Sequence, residues 1–278
     1  MRLLLTHGGD SNHRIREGLD DHDVACVEFD VSGRTYDLRS DVTVEADVGL
    51  VYPSRLMEGG VLDALSGVPW VNGAGEVLLS RNKAACIARV ARAGLRTPDS
   101  VLVSNPVDRD EAVDVFEAVG GDVVVKPNSA TRGRGAVRVD DLDSYLGVVE
   151  QFDVMHESSL VGDRSYLVQE FVDDAVDYRV MVVGGEYAGA VRRESAGWRR
   201  NVHSGASAVA VDPPADVVDC AVDAARALDV AFAGIDVLDA EEPLFLECNA
   251  RPTVDDVSKY VDGFYGLLAD VVRSALER

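Results

Sequence analysis

Short apolar runs alternate with segments of helical periodicity through the first 78 residues. Residues 2–6, 24–29 and 47–52 form apolar runs that are typical of buried strands. The first run leads into Gly8 and Gly9 and then a polar helix start, so a tight turn is expected there, with contact to a ligand as the alternative. The alternation predicts a small α/β domain with a parallel sheet over residues 1–78.

The remainder of the chain mixes helical and β-rich stretches without an internal repeat. Helices are predicted over residues 78–94, 110–119, 141–152, 215–228 and 256–277. Strands are predicted over residues 122–126, 136–139 and 166–171, and two hairpins over residues 177–193 and 231–249. This pattern predicts that helices pack against β-sheets in the second part of the chain as well.

The balance of charge narrows the choice of partners. The chain has 49 acidic and 27 basic residues, a formal net charge of −22. Such a surface repels nucleic acids and anionic membranes, so neither is an expected partner. The apolar stretch at the N-terminus covers only residues 3–5, too short for a signal peptide. We therefore expect a soluble, cytoplasmic protein.

Dispersed acidic residues and very few lysines resemble the composition of proteins from salt-loving microbes. Salt screens the repulsion among like charges, which opposes the compact state. With a net charge of −22, the melting temperature is expected to rise between dilute buffer and molar KCl. Each kcal/mol of relieved repulsion should add about 2–4 °C. Coincident melting curves in the two buffers would contradict the halophilic interpretation.

Cysteine and lysine usage adds two further observations. The four cysteines have no CxxC spacing, so buried thiols are more plausible than a zinc site or a disulfide framework. Only three lysines occur, Lys83, Lys126 and Lys259, against 24 arginines. A lysine retained in this background can serve as a compact point charge, which arginine replaces poorly. Lys83 and Lys126 lie in motifs, whereas Lys259 is expected to be an ordinary surface residue.

A glycine-rich loop follows the strand that ends at Lys126. The loop runs from Ser129 to Gly135, and Gly133 and Gly135 would let backbone N–H groups approach phosphates closely. A Walker A loop would lead into a helix and carry GK[ST]. This loop leads into a strand, which favours a flap over a nucleotide, although an ordinary hairpin loop has the same composition.

The hairpin over residues 231–249 carries a group of oxygen ligands. With a two-residue turn at 241–242, Asp236 would lie opposite Glu247, and Asn249 would project from the same face. Such a group suits Mg²⁺. Acidic residues are common in this chain, but apolar neighbours place these two in core strands, where unpaired acids are costly. Because the two carboxylates would repel each other, replacing Asp236 by Asn is expected to perturb the fold little.

Residues 169–200 combine a strand end with a basic cluster. Backbone groups at 169–172 could pair with an adenine edge, and Asp177 could accept hydrogen bonds from ribose hydroxyls. The basic cluster would attract phosphate or carboxylate, unless its members form surface ion pairs with neighbouring acids. Adjacent strand residues point to opposite faces, so two consecutive arginines cannot both reach one site. The cluster comprises Arg192, Arg193, Arg199 and Arg200.

Taken in order, these segments resemble the RimK-like branch of the ATP-grasp ligases over roughly residues 70–252. The resemblance is carried by SRNKAACIARVARAGLRTP, VVVKPNSATRGRG, VQEFV with DYRVMVVGGE, WRRNVHSGA and AGIDVLDAEEPLFLECNARP. It implies an ATP-grasp fold of mixed α/β and α+β class. In this fold an N-terminal α/β domain (1–78) precedes an ATP-grasp domain (79–278), which divides into a flap subdomain (about 95–168) and a C-terminal subdomain (about 169–278). ATP would bind between the last two.

The resemblance also implies a role for individual residues. The ATP phosphates would be bound by Lys83, Lys126 and the loop residues Ser129, Gly133 and Gly135. The adenine would be framed by Glu170, Phe171 and Val172, and the ribose held by Asp177. The transferred phosphate would lie near Arg193, Arg199 and Asn201. Mg²⁺ or Mn²⁺ would be held by Asp236, Glu247 and Asn249.

The implied activity is the formation of an amide bond through an acyl phosphate. The partners would be a carboxylate and an amine, either of them an amino acid, a small molecule or a protein tail. A glutathione-type or other ATP-grasp ligase is the alternative, as is a non-catalytic ATP-binding regulator, which would not need the metal ligands. Arg251 departs from the family, which often has a small-residue turn after the metal-binding Asn. The sequence does not decide between a monomer and a homo-oligomer.

Overall fold

The computed structural model describes residues 1–6, 9–131, 133–157, 162–195, 197–199 and 207–277. These residues form three β-sheets with helices packed against them. Among the described helices, none combines the length and apolar character that crossing a bilayer requires.

The N-terminal sheet is parallel and has three strands, as the sequence predicts. Strand β1 (Arg2–Leu5) lies between β2 (Ala25–Glu28) and β3 (Val48–Val51). Leu3 and Leu5 of β1 pack in one buried cluster with Ile15 and Leu19 of α1 (Asp10–Asp20). Helix α2 (Leu56–Ser66) follows β3 in the chain and belongs to this domain. It was not predicted.

The single helix predicted over 78–94 is wrong, because the segment forms two helices. Helix α3 (Ala74–Arg81) ends at Asn82, and α4 (Lys83–Arg92) begins directly after it. Asn82 has non-helical dihedrals of φ −96° and ψ 88°, and its side chain accepts a hydrogen bond from Ala85 N at 3.0 Å. This is a helix N-cap. The break places Lys83 in the first turn of α4.

The second sheet is antiparallel, with the order β4-β7-β5-β6. Its strands are β4 (Ser100–Ser104), β5 (Val123–Pro127), β6 (Val137–Val139) and β7 (Ser165–Glu170). Helices α5 (Arg109–Ala118) and α6 (Leu142–His156) cover the face that carries Val125 and Val168. Because side chains alternate along a strand, Lys126 and Gln169 lie on the opposite face. We call this unit the flap.

The third sheet is antiparallel, with the order β10-β9-β8-β11-β12. Its strands are β8 (Val176–Val183), β9 (Glu186–Glu194), β10 (Ser207–Ala210), β11 (Phe232–Asp239) and β12 (Pro243–Asn249). Helix α7 (Ala215–Leu228) precedes β11. The last helix, α8 (Phe264–Ser274), begins eight residues later than predicted, because Gly263 ahead of it has a left-handed φ of 86°. The predicted pairings β8–β9 and β11–β12 are confirmed.

The β11–β12 hairpin differs from its prediction in one detail. Asp239 pairs with Pro243, so the loop has three residues (240–242), and the predicted two-residue turn is wrong. A register shift between Asp236 and Val237 compensates for the longer loop. As a result Asp236 still pairs with Glu247, as the sequence predicts.

The two faces of the third sheet have different partners. One face, with Val180, Ile235 and Phe245, belongs to a buried cluster that also contains residues of α4 and α7. Part of the other face, including Met181 and Phe232, packs in the same cluster as the N-terminal sheet and α8. The rest of that face carries charged side chains, and two of them, Asp236 and Glu247, interact electrostatically with Lys126 of the flap.

Candidate functional site

A row of charged side chains crosses four neighbouring strands of the third sheet. Arg193 on β9 pairs with Asp177 on β8, and Arg179 on β8 pairs with Asp236 on β11. Glu247 on β12 lies opposite Asp236. Residues two apart on a strand share a face, so the register alone brings these five side chains together. We call them the charged row.

Asp236 is the centre of the charged row. Its carboxylate accepts hydrogen bonds from Arg179 at 2.6 and 2.8 Å, and Arg193 Nη2 lies 2.8 Å from Oδ2. Only 4% of the Asp236 side chain is exposed. Burial would raise the pKa of this carboxyl, but Arg179 and Arg193 hold it below its ordinary value. Asp236 is therefore an ionised acid in the interior.

Asp177 forms a buried ion pair with a neighbouring arginine. Its Oδ1 accepts two hydrogen bonds from Arg193, at 3.0 and 2.7 Å, and both side chains are almost fully buried. Burial raises the pKa of Asp177 to about 6, although Arg193 counteracts this shift. The ribose role expected of Asp177 stays a prediction, and in the structure this carboxylate binds and positions Arg193.

The same contacts separate the two arginines of the charged row. Arg193, which was expected beside the transferred phosphate, is bound to Asp177 and Asp236 and is 4% exposed. Arg179 was missed, yet its side chain is 33% exposed and it is the arginine with access to a ligand. Its place on the face of β8 that carries Asp177, two residues away, was the signal in the sequence.

The three predicted metal ligands share one face of the β11–β12 hairpin. Asp236 lies opposite Glu247, and Asn249 lies opposite Gly234. Asn249 Nδ2 donates to Gly234 O at 3.4 Å. The Oδ1 atom of Asn249 is then the one that could coordinate a cation. Two carboxylates and an amide oxygen are hard ligands that fit Mg²⁺. Within the described part of the chain, no group of three His, Cys, Asp or Glu residues offers a different metal site.

Lys126 approaches the charged row from the flap. Its ammonium donates to Gln169 Oε1 at 2.8 Å, and Gln169 Nε2 donates to Ser100 Oγ at 2.8 Å. Burial lowers the pKa of Lys126 to about 8, while Glu247 and Asp236 oppose the shift. The flap and the third sheet therefore bring opposite charges within electrostatic reach of each other.

Lys83 is held at the junction of α4 and the flap loop. It is 7% exposed, and its ammonium donates to Ala130 O. Asn128, which the sequence analysis missed, accepts from Ala84 N and donates to Asn82 Oδ1, both at 3.0 Å. Its position two residues after Lys126 on the same strand face was the available signal. These bonds hold Lys83 beside the loop that follows Lys126.

The glycine-rich loop adopts the backbone that glycine permits. Gly133 and Gly135 have left-handed φ values of 66° and 75°. A Cβ at Gly135 would also lie 2.9 Å from Pro127 Cγ. Ser129 is exposed at the start of the loop. Beyond the loop, Arg199 Nη2 donates to Ala136 O at 2.6 Å, whereas Asn201 lies outside the described residues.

The predicted adenine residues follow β7. Glu170 N donates to Asp99 O at 2.8 Å and Phe171 N to Asp122 O at 2.9 Å, so neither amide is available to a base. The guanidinium of Arg138 lies 3.5 Å from the centre of the Phe171 ring and covers one of its faces. The carbonyl groups of these residues and the backbone of Val172 are not affected by these bonds, and the adenine role of the three residues stays a prediction.

A cavity of about 450 Å³ lies between the end of α3 and the start of the glycine-rich loop. Its walls include Arg81, Asn128 and Asp163. Ser129, one of the predicted phosphate residues, also lines this cavity, so the cavity adjoins the glycine-rich loop.

Comparison with known proteins identifies the family of this chain. Residues 80–263 match the family described as the RimK-like ATP-grasp domain. A probable alpha-L-glutamate ligase of Legionella pneumophila is 31% identical over 186 residues, which are 65% of this chain and 58% of that protein. A protein of the same name from Xanthomonas campestris pv. campestris is 32% identical over 192 residues, 67% of this chain and 62% of that protein. The chain thus spans about three fifths of these relatives.

Solved structures extend the likeness to the whole fold. A RimK domain ATP-grasp protein from Sphaerobacter thermophilus superimposes with a TM-score of 0.72 at 19% identity, covering 98% of this chain and 100% of that one. The D-alanine–D-alanine ligase of Bacillus anthracis in complex with ATP gives 0.70 at 16% identity, covering 100% and 97%. The predicted ATP-grasp fold is confirmed. Because the family match spans more than half of the chain, the protein belongs to the RimK-like ATP-grasp family.

Proposed function

We propose that the protein is an ATP-dependent ligase that joins a carboxylate to an amine through an acyl phosphate. The observation that carries this proposal is that Lys126, on the flap, lies within electrostatic reach of Asp236 and Glu247, which are paired on the third sheet. A cation on the flap and metal-binding oxygens on the third sheet together suit the binding of a nucleoside triphosphate. The relatives named as probable alpha-L-glutamate ligases support an amino acid as one substrate.

The side chains of the site take complementary roles in this reaction. Lys83, Lys126 and Arg179 offset the negative charge of the phosphates, and the loop amides near Gly133 and Gly135 add backbone donors. Asp236, Glu247 and Asn249 would hold Mg²⁺ or Mn²⁺, which neutralises phosphate charge when bound. Arg199 is proposed near the transferred phosphate, together with Asn201.

The proposed reaction needs no nucleophile from the enzyme. An oxygen of the substrate carboxylate attacks the γ-phosphorus, the bond to ADP breaks, and the acyl phosphate forms. The amine nitrogen then attacks the acyl carbon, phosphate leaves, and the nitrogen loses a proton. Since the reaction consumes ATP, we infer that the protein works in the cytoplasm.

ATP affinity should fall as the pH rises above about 8. Burial lowers the pKa of Lys126 to about 8, so its ammonium loses its charge in that range while ATP is already fully ionised. The lost contact is worth about 1.5–3 kcal/mol, a decrease in affinity of about 10- to 100-fold. Titration calorimetry between pH 7 and pH 10 measures it.

Two variants identify the titrating group. Lys126→Arg should bind ATP with little dependence on pH, because guanidinium stays protonated throughout. Lys126→Ala should bind weakly at every pH. If Lys126→Ala shows the same decline as the unaltered protein, another group is responsible and the phosphate role of Lys126 fails.

The acyl phosphate can be trapped without the natural amine. The protein is incubated with ATP, Mg²⁺, hydroxylamine and a panel of amino acids and peptides with free carboxylates. We expect a hydroxamate and an equal amount of ADP for the true acid. Formation of AMP would replace the proposed route by adenylation. ATP binding without any ADP across the panel would favour the non-catalytic regulator.

A further inference from the structure

Strand β4 (Ser100–Ser104) is an edge strand of the flap, and one of its sides pairs with β7. Glu170 N donates to Asp99 O at 2.8 Å, and Asn105 N donates to Arg164 O at 3.1 Å, so both pairs are of the hydrogen-bonded kind. In an antiparallel ladder, such residues alternate with residues whose N–H and C=O groups point away from the partner strand. The outward groups of β4 are therefore those of Ser100, Leu102 and Ser104. Among the described residues, none bonds to these groups.

Side chains of β4 also line the cavity of about 450 Å³. Leu102 and Ser104 line it from the strand, and Leu78 lines it from α3. Both leucines are exposed, Leu78 by 60% and Leu102 by 47%. Proteins usually protect a free strand edge with charged side chains, proline or a covering segment. In the described part of this chain the free edge borders apolar side chains, which is a combination that a strand from a partner can cover.

Two arginines line the same cavity, and no acidic side chain of the chain pairs with either of them. They are Arg81 and Arg164. All 49 acidic residues lie within the described ranges, and none forms an ion pair with these two. Asp163 also lines the cavity, but its Oδ1 accepts hydrogen bonds from Ser165 N at 3.0 Å and Ser165 Oγ at 2.6 Å. In a protein with a net charge of −22, the cavity thus offers cations to an anionic partner.

We propose that β4 binds an extended acidic segment of a partner protein, which adds to the flap as a fifth strand. The backbone of the segment pairs with the outward groups of Leu102 and Ser104. Residues two apart in the segment share the face towards the cavity. An apolar residue on that face packs against Leu78 and Leu102, and an acidic residue next to it binds Arg81 or Arg164. This docking site does not depend on the ligase function.

A second copy of this chain is a poorer occupant of the same edge. In a symmetric dimer each patch meets the same patch of the other copy. Pairing through β4 would bring Arg81 and Arg164 of the two copies towards each other, and each copy carries a net charge of −22. Like charges across an interface disfavour association. The edge therefore suits a partner that supplies carboxylates.

Fluorescence anisotropy on the full chain tests the site, with the labelled peptide TVTETVTET as the probe. The valines and glutamates of this peptide share one face of a strand, and its threonines share the other. We expect saturable binding that weakens as KCl is raised, because salt screens the contacts with the arginines. Replacing both glutamates by glutamine should weaken binding about tenfold. Two further peptides carry N-methyl groups on alternate residues, and only the one whose methyl groups block the edge that faces β4 should fail to bind.

Variants of the protein control for location and folding. Arg164 is exposed and lies outside the proposed catalytic, nucleotide and metal residues. Arg164→Glu should weaken binding of the acidic peptide by about tenfold or more, because it places like charges together. Arg226→Glu, at an arginine that is 69% exposed on α7, makes the same charge change and should leave the affinity unchanged. Both variants should melt near the unaltered protein, which shows that their folding is intact.

The proposal is overturned if the unaltered protein shows no saturable binding of the probe, or if the two methylated peptides bind equally well. Equal affinity of Arg164→Glu and the unaltered protein would also overturn it, because the acidic residues would then not be recognised at the cavity. Light scattering tests the second copy. If the unaltered protein is a dimer that Arg164→Glu separates, the chain itself occupies the edge and the partner segment is ruled out. None of these measurements involves ADP or hydroxamate, so the ligase function is tested separately.

Discussion

Replacing Glu247 by Gln should lower the rate of ADP release by about 10²- to 10³-fold and leave the melting temperature nearly unchanged. Glu247 faces Lys126 and Asp236 across the site, where it would be a ligand of Mg²⁺. The amide keeps the shape of the side chain but removes its negative charge, so the metal loses an anionic ligand. The fold should tolerate the change, since no ion pair to Glu247 occurs among the described residues.

The matched control lies in the same hairpin. Glu241 is exposed in the three-residue loop, so Glu241→Gln changes the net charge equally without touching the site. Turnover is measured against Mg²⁺ concentration at saturating ATP. Glu247→Gln should need more Mg²⁺ and still reach a lower maximum, and Glu241→Gln should match the unaltered protein. Equal turnover in all three proteins would remove Glu247 from the metal site.

The pairing of Asp236 with Glu247 could be predicted because several local signals agree. Both acids have apolar neighbours in runs that alternate with period two, which identifies core strands and the face of each side chain. The turn was assigned incorrectly, yet the pairing was right, because the bulge at Leu246 offsets the third loop residue. Hydrophobic alternation constrained the register here more strongly than turn chemistry did.

The partners of the buried charges could not be predicted in the same way. Asp177 and Arg193 meet because β8 and β9 pair in one register, and Arg193 reaches Asp236 only because β11 lies on the other side of β8. Sequence spacing contains neither the strand order nor the rotamers of the arginines. The break at Asn82 was missed for a local reason, because helix formers on both sides concealed an N-cap.

Replacing Asp236 by Asn should destabilise the protein by about 3–5 kcal/mol, whereas the sequence alone suggested little effect. In the sequence, the visible effect at Asp236 is its repulsion by Glu247. In the structure Asp236 accepts hydrogen bonds from Arg179 and Arg193, and these arginines hold its pKa below the ordinary value. An amide would leave the buried Arg193 and the partly exposed Arg179 without their shared counter-ion. Loss of the arginine contacts therefore outweighs relief of the repulsion.

The dependence of folding stability on pH is a second property to which Asp236 contributes. Because the pKa of Asp236 is lower in the folded state, its contribution to stability is present above the unfolded pKa and is lost as the pH falls through the folded value. At pH 7, thermal unfolding without ATP should show Asp236→Asn melting roughly 6–20 °C below the unaltered protein. Glu247→Gln is the matched control, with the same change of carboxylate to amide on the neighbouring strand, and should melt near the unaltered protein. If Asp236→Asn melts at or above that temperature, the two arginines do not depend on Asp236, and repulsion between the carboxylates dominates the site.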